Sequence, residues 1–247
     1  MINPTPFNQY QDLVFDKLRR AFRQEKEINT AANWIAESII HEGWIYASGT
    51  GHSHMLAEEI FYRAGGFARV IPILDPALML HQDASGSTEV ERREGYAKTL
   101  FAPYSISEKD VFIISSNSGR NAVSIEMAQM AQEKGAKVIA LTNLAHSKSV
   151  ESRHSSGLKL YQVSDVFLDT FGEIGDACVS LEGLESKVGA TSTVIGAALL
   201  NAIMVQAAAF VLEKGPKPEI FNSSNSDTGE AYNDSLIAKY KPYIKIL

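Results

Sequence analysis

Apolar residues recur every three or four positions along the first forty residues, which is the spacing of one face of an α-helix. The pattern predicts one long helix or two short helices, so we expect an N-terminal helical segment over residues 1–40. The positions that carry the pattern are Phe7, Tyr10, Val14, Leu18 and Phe22, then Ile28, Ala32, Ile35 and Ile39.

From residue 44 the pattern changes to short, β-rich apolar runs separated by helical stretches. Strands that alternate with helices are typical of a parallel sheet covered by helices. The sequence therefore predicts an α/β domain over residues 41–215. Its five predicted strands are Trp44–Ser48, Val70–Leu74, Val111–Ser115, Val138–Thr142 and Val166–Asp169.

One long apolar stretch lies late in the chain, from Val194 to Leu212, and is broken only by Asn201 and Gln206. Because its alanine content makes it only mildly hydrophobic, a buried core or interface helix is favoured over a membrane span. Residues 216–247 form a C-terminal tail that we expect to fold back on the domain. Its first part, residues 216–233, is rich in Asn, Ser and Gly, which predicts a structured loop over the site instead of a helix.

Composition narrows the class of protein. With 247 residues, 45% of them hydrophobic, the chain is long enough for one large α/β domain or one domain with a helical extension. There are 23 basic and 29 acidic residues, a net charge of −6, and no run of Lys and Arg with interleaved aromatics, so we expect no nucleic-acid partner.

Cysteine content and the N-terminus bear on the compartment. Cys178 is the only cysteine, which excludes an internal disulfide and a cysteine metal cluster and fits a reducing cytoplasm. The first twenty residues lack the basic start and continuous apolar core of a signal peptide. We therefore expect a cytoplasmic protein with no membrane partner.

A glycine-rich turn, GTGHSH at residues 49–54, follows the first predicted strand. Gly49 and Gly51 let the backbone turn tightly and approach a ligand, and Ser53 adds a hydroxyl. The helix that follows begins with unpaired N–H groups and a partial positive charge, which together bind a phosphate without a lysine. Two other interpretations stay open. Ser53 caps the helix, or Gly-x-Gly opens a dinucleotide fingerprint, although His54 stands at its third glycine position.

A second turn of this kind follows the third predicted strand and contains Ser115, Ser116, Asn117, Ser118 and Gly119. Hydroxyls and an amide around one glycine suit the oxygens of a phosphate monoester better than a metal or a base edge. The serines alternatively do no more than cap the next helix. Because ligands of parallel sheets bind outside the carboxyl ends of the strands, both turns can face one pocket and hold a ligand with two ends.

With both turns the chain resembles the SIS (sugar isomerase) family, whose domains bind phosphorylated sugars. The family's second loop reads Ser-x-Ser-Gly-x-Thr, and the matching residues here end in Asn121, which keeps a donor and an acceptor but changes reach. Three later segments, KVIALTN, DVFLDTFGEIGDA and VGATSTVIGAALLNAIMVQAAAFVLEKG, extend the similarity to about residues 35–215. It is greatest to uncharacterised single-domain SIS proteins related to phosphoheptose isomerase.

The resemblance implies a fold and a ligand site. The fold is a three-layer α/β sandwich with a five-stranded, flavodoxin-like parallel sheet, to which the N-terminal helical segment is added. No metal and no redox cofactor are implied. The implied substrate-binding residues are Gly51, Ser53, His54, Ser116, Asn117, Ser118, Gly119 and Asn121. Arg120, inside the second loop, either adds charge to the anion pocket or is solvated.

The implied activity is aldose–ketose isomerisation of a sugar phosphate through an enediol. A non-catalytic phosphosugar sensor, or an etherase or deaminase of an amino-sugar phosphate, would use the same pocket. One departure from the family affects the chemistry. Arg63 stands where phosphoheptose isomerase and the N-acetylmuramic acid 6-phosphate etherase place a catalytic glutamate. The replacement candidates are Glu59, its neighbour Glu58, Glu89 and His81.

Two groups of polar residues have simpler interpretations. The run containing Glu89, Glu91 and Glu94 beside Arg92 and Arg93 is typical of a solvated helix with ion pairs one turn apart. Histidines 41, 52, 54 and 81 form no pair at the i, i+4 spacing of metal ligands, so no metal site is expected.

Finally, the opening helix and Val194–Leu212 carry more apolar surface than one small sheet can cover, which predicts a homodimer.

Overall fold

Two helices, α1 (Pro6–Phe22) and α2 (Glu25–Ile40), open the chain in the computed structural model, which describes residues 5–215, 217–224 and 229–247. The apolar spacing thus corresponds to two helices and not one, and residues 1–4 of the predicted segment lie outside the described residues. Between the helices, the Gln24 side-chain amide donates to the Asp169 carbonyl and accepts from the Asp169 N–H, both at 2.8 Å. These bonds fix the turn to the end of the last sheet strand.

Five parallel strands form the central sheet in the order β2-β1-β3-β4-β5, which confirms the predicted fold class. Their bounds are β1 Ile45–Gly49, β2 Val70–Ile73, β3 Val111–Ser115, β4 Lys137–Thr142 and β5 Val166–Asp169. The strand order reverses between β1 and β3. In sheets of this kind a ligand binds at that reversal, outside the carboxyl ends of the strands. Gly49 is paired with Ser115 across it, so the two predicted loops start side by side.

Alternate residues of the strands face two separate hydrophobic layers, as strand geometry requires. Tyr46, Phe112 and Ile114 pack with the helices on one face, whereas Ile45, Ile113 and Leu141 pack with the helices on the other. The first layer includes α5 (Tyr96–Phe101), α6 (Ala122–Glu133) and α9 (Glu230–Tyr240), and the second includes α1, α2, α3 (His54–Glu59) and α8 (Ser192–Lys214). Two short helices, α4 (Ala84–Val90) and α7 (Leu144–Ser149), lie in connections.

Helix α8 contains the predicted apolar stretch. One side packs on α2 and α3, where a Cβ added to Gly196 would lie 2.6 Å from a Leu56 methyl. The other side leaves Val205 72% and Leu212 59% exposed. Within residues 5–215, 217–224 and 229–247 it is the one helix whose length and apolar composition would suffice to cross a membrane, and 44% of its most apolar window is buried in the fold.

Two regions differ from the sequence-based expectation. A short antiparallel hairpin, β6 (Ala177–Val179) and β7 (Val188–Ala190), follows β5 and has no periodicity long enough to predict it. Helix α9 begins at Glu230, inside the stretch expected to be non-helical. The Asn233 amide, unfavourable in an isolated helix, is satisfied there by the backbone N–H and carbonyl of Asn222, at 2.9 and 3.0 Å.

The C-terminal tail contacts the domain on the β2 side. Ala68 N–H donates to the Glu219 carbonyl and Phe221 N–H donates to the Gly66 carbonyl, both at 2.9 Å. Tyr240 meets Trp44 edge to face with ring centroids 5.7 Å apart, at the amino end of β1. The expectation of a loop over the site is wrong for residues 219–221, because Gly66 and Ala68 precede β2, at the end of the sheet opposite the two loops. Residues 216 and 225–228 of the tail lie outside the described residues.

Candidate functional site

The first loop turns directly from β1 into a single 3₁₀ turn, Gly51–Ser53, and then into α3. A Cβ on Gly49 would lie 2.4 Å from the Ser53 carbonyl oxygen, so the backbone passes too close for any side chain. Gly51 has a φ of +55° but open space around it. The two glycines are therefore required for different reasons, close approach at Gly49 and a left-handed backbone at Gly51.

This difference gives a testable prediction. Gly49→Ala should lower the free energy of unfolding by about 2 kcal/mol, because the loop must move to admit the methyl group. Gly51→Ala should cost only about 1 kcal/mol, the strain of a left-handed alanine. Urea denaturation of both variants measures the difference. Equal losses would contradict the close approach at Gly49.

The second loop connects β3 to α6 and is fixed by the end of β4. Gly119, with a φ of +57°, donates its N–H to the Ser116 hydroxyl at 3.2 Å. The Asn117 carbonyl accepts from the Asn143 N–H at 3.0 Å and from the Thr142 hydroxyl at 3.3 Å. The loop is therefore held in shape by its own glycine and by the neighbouring strand.

Both loops border one small cleft at the carboxyl ends of the strands, adjoining the start of α8. The Asn117 Oδ1 and Thr170 Oγ1 atoms are buried there without a hydrogen-bond partner in the described part of the chain. Buried polar atoms of this kind require a polar partner such as a ligand or water. The cleft is lined by Ser53, Leu56, Ser115, Ser116, Asn117, Leu141, Thr142, Thr170, Ser192 and Thr193.

Of the predicted ligand residues, Ser53, Ser116 and Asn117 meet in this cleft. Ser118, Gly119 and Asn121 follow in the second loop, where Ser118 is half-buried and Asn121 is buried. His54 is also buried. Its Nδ1 bonds the Gly51 carbonyl, and its Nε2 lies 3.8 Å from the Glu58 carboxylate.

Glu91 links the two loops, although its run of charges predicted only a solvated helix. One carboxylate oxygen accepts from the Thr50 hydroxyl and the other accepts from the Asn121 side-chain amide at 2.7 Å. Burial raises the pKa of Glu91, opposed by the Thr50 hydrogen bond and the positive charges of Arg92 and Arg153. Its two side-chain partners lie 41 and 30 positions away along the chain, so no local pattern could have indicated them.

The four residues predicted as acid–base candidates are dispersed. Glu59 faces α8, where its carboxylate is bonded by Arg63 and by the Asn201 side-chain amide. Glu58 and His81 border another cavity, with a volume of about 300 Å³, beside the β2 edge and the C-terminal residues 243–246. Glu89 is exposed on α4. None of them lines the small cleft between the two loops, which we call the hydroxyl-rich cleft.

One group of side chains has the composition of a metal site. Glu94, Glu126 and His154 each bring one ligand atom within 4.8 Å of the others. Both carboxylates already accept hydrogen bonds that hold the fold together. Glu126 accepts from the Gly95 N–H at 2.6 Å, and Glu94 accepts from the Ser155 N–H and hydroxyl. These bonds attach the loop around residues 152–157 to α6 and the turn after α4. That no metal is needed stays a prediction.

The strand order and the two loops at its reversal define the class of protein. It is a doubly wound α/β domain with a polar ligand cleft at the topological switch point. Residues 9–143 match the SIS domain family. The chain belongs to this family, as its resemblance to it predicts.

Relatives of similar length share much of the sequence. A UPF0309 protein of Halalkalibacterium halodurans is 45% identical over 217 residues, covering 88% of this chain and 90% of the relative. A UPF0309 protein of Oceanobacillus iheyensis is 43% identical over 242 residues, 97% of this chain and 98% of the relative.

Solved structures show the same fold at low sequence identity. A phosphoheptose isomerase from Francisella tularensis superposes with a TM-score of 0.53 at 15% identity, over 81% of this chain and 95% of that chain. The Vibrio vulnificus NanR protein complexed with ManNAc-6P superposes with a TM-score of 0.51 at 18% identity, over 99% of this chain and 71% of that chain.

Proposed function

We propose that this protein binds a phosphorylated sugar at the mouth of the hydroxyl-rich cleft, since the cleft itself, at about 10 Å³, has room for no more than one water molecule. The observation that carries the proposal is the meeting of Ser53, Ser116 and Asn117 at the reversal of strand order, beside buried polar atoms that have no hydrogen-bond partner among the described residues. Family membership supports it, as does the NanR structure, which contains ManNAc-6P.

The two loops divide the ligand between them. The second loop holds the phosphate, because its backbone turns at Gly119 into α6 and its serines supply hydroxyl donors. The first loop, ending in Ser53, faces the sugar. Binding energy from the phosphate, which does not react, then holds the reacting carbons in place.

The proposed reaction is isomerisation of an aldose phosphate to a ketose phosphate through an enediol. A base removes the proton from the hydroxyl-bearing carbon next to the aldehyde, and the aldehyde oxygen gains a proton to give the enediol. A proton then returns to the former aldehyde carbon while the hydroxyl on the second carbon loses its proton and becomes the ketone. Glu91 does not line the cleft either, but it is the carboxylate that bonds both loops, and burial holds its pKa above the usual range. Loop hydroxyls stabilise the developing oxyanion.

A sensor without catalytic activity is the second candidate function. One observation favours it: the Glu59 carboxylate is bonded to Arg63 and Asn201. The family resemblance points the same way, because it implies a catalytic glutamate at the position of Arg63. An etherase or deaminase acting on an amino-sugar phosphate would use the same cleft.

The binding proposal is tested by thermal shift with a panel of sugar phosphates and the matching free sugars. Sugar phosphates should raise the melting temperature and the free sugars should not, because the second loop recognises the phosphate. A panel in which no sugar phosphate stabilises the protein, or in which free sugars do so equally, would overturn the proposal.

We further propose that the protein acts in the cytoplasm as a homodimer, with no nucleic-acid or membrane partner. The exposed side of α8 supports the dimer, because Val205 and Leu212 present apolar surface that a second copy would cover. Val205→Lys should shift the protein from dimer to monomer in light scattering at micromolar concentration. Ile174→Lys, at an equally exposed residue after β5, is the matched control. If the wild-type protein is a monomer in the same measurement, the proposed homodimer is wrong.

A further inference from the structure

Three arginines lie in or beside the second loop, and none of them is paired with a carboxylate of the described residues. Arg120 lies inside the loop, Arg153 donates to the Asn121 side-chain oxygen at 3.1 Å, and Arg92 is next to Glu91. Within the residues that the structure describes, none of the three forms an ion pair.

The charges of these side chains act on one another. Arg153 is exposed, and its partial desolvation lowers its pKa; the charges of Arg120 and Arg92 lower that pKa further, and Glu91 alone opposes them. One carboxylate among three guanidinium groups leaves positive charge uncompensated beside the loop. The Arg120 Nε is also buried with no hydrogen-bond partner in the described part of the chain.

The backbone holds Arg153 against the second loop. The Arg153 N–H donates to the Arg120 carbonyl at 2.8 Å, and a few residues later the Leu160 N–H donates to the Gly119 carbonyl at 2.9 Å. The segment between them is attached through the bonds of Ser155 to Glu94. Arg153 is therefore positioned by the fold, not placed by a flexible surface loop.

We propose that the ligand carries a second acidic group, a carboxylate or another phosphate, and that Arg153 and Arg120 bind it beside the phosphate loop. This proposal rests on the proposed function and names the substrate class of the same site. A guanidinium group donates two parallel hydrogen bonds to a carboxylate or a phosphate, which a hydroxyl of a neutral sugar cannot accept in the same way.

The test uses two pairs of ligands in calorimetry. Fructose 6-phosphate is compared with fructose 1,6-bisphosphate, and N-acetylglucosamine 6-phosphate with N-acetylmuramic acid 6-phosphate, which adds a carboxylate. In at least one pair the ligand with the second acidic group should bind about tenfold or more tightly. Arg153→Gln should remove that preference and leave binding of the other ligand of the pair unchanged. Arg120→Gln should act in the same direction.

Arg93→Gln is the matched control, since Arg93 follows Arg92 in the turn after α4 and is exposed. It should keep the preference. Equal affinities within both pairs would overturn this proposal and leave phosphosugar binding intact. Equal weakening of both ligands by Arg153→Gln would show that Arg153 only supports the loop. If none of the four ligands binds, the proposed function fails as well.

Discussion

Replacing Ser116 and Ser118 together by alanine is expected to abolish the stabilisation by sugar phosphates while the fold stays intact. Each serine would contribute one hydrogen bond to a charged phosphate, and the loss of two such bonds costs roughly 3 to 6 kcal/mol. This corresponds to a fall in affinity of about 10²- to 10⁴-fold, which calorimetry can measure. Ser116 also accepts from the Gly119 N–H, so Ser118→Ala alone separates phosphate contact from loop support.

The control is a second pair of serines with no part in the cleft. Ser149 and Ser235 are exposed, and each hydroxyl donates to a backbone carbonyl three residues earlier. Their double alanine variant should bind as tightly as the wild type. If the Ser116/Ser118 variant binds a sugar phosphate with unchanged affinity, the site is elsewhere.

Glu91→Gln is expected to cut proton exchange on a bound sugar phosphate by about a hundredfold or more, because glutamine cannot act as a base. In deuterium oxide the wild-type protein, if the proposed isomerase activity holds, should introduce deuterium at the carbon beside the carbonyl even when net conversion is slight. The same measurement on Glu58→Gln, Glu59→Gln, Glu89→Gln and His81→Asn tests the four candidates taken from the sequence, and each should retain most of the exchange.

The pH dependence gives a second readout of the same residue. Because burial raises the pKa of Glu91 above its usual 4.5, the exchange rate should rise with pH through a limb that lies above 4.5. The contribution of Glu91 to the free energy of unfolding should change in the opposite direction and fall as the pH rises. A carboxyl with a raised folded-state pKa loses its stabilising contribution as pH rises, so the wild type should become less stable relative to Glu91→Gln.

A sugar phosphate that binds tightly without exchange or product would exclude the isomerase and leave the sensor or a lyase.

Much of the fold could be predicted because its signals are local. The strands Val111–Ser115 and Val166–Asp169 have the predicted bounds, since each is an apolar run that ends in polar or turn residues. The second loop could also be found, because its serines and Gly119 are adjacent in sequence. The alternation of strands and helices also predicted the parallel sheet covered by helices.

The parts of the fold and of the site that could not be predicted depend on contacts between distant segments. Glu91 resembles a surface residue within its own run of charges, and only folding brings it to Thr50 and Asn121. Helix α9 begins in a polar stretch and is stabilised by packing of Leu236 and Tyr240 on the sheet layer. The hairpin β6–β7 has strands of three residues, too short for alternation to be visible.

The position of α8 has a consequence for how the protein is made. This helix is synthesised after all five strands, yet Leu199 and Ile203 complete the layer that Ile35 and Ile45 begin. A nascent chain that has already formed the sheet therefore emerges from the ribosome with one apolar face uncovered. Exposed surface of this kind promotes aggregation. It is the face that a chaperone would shield during synthesis, and translation that stops before residue 192 would leave it open permanently.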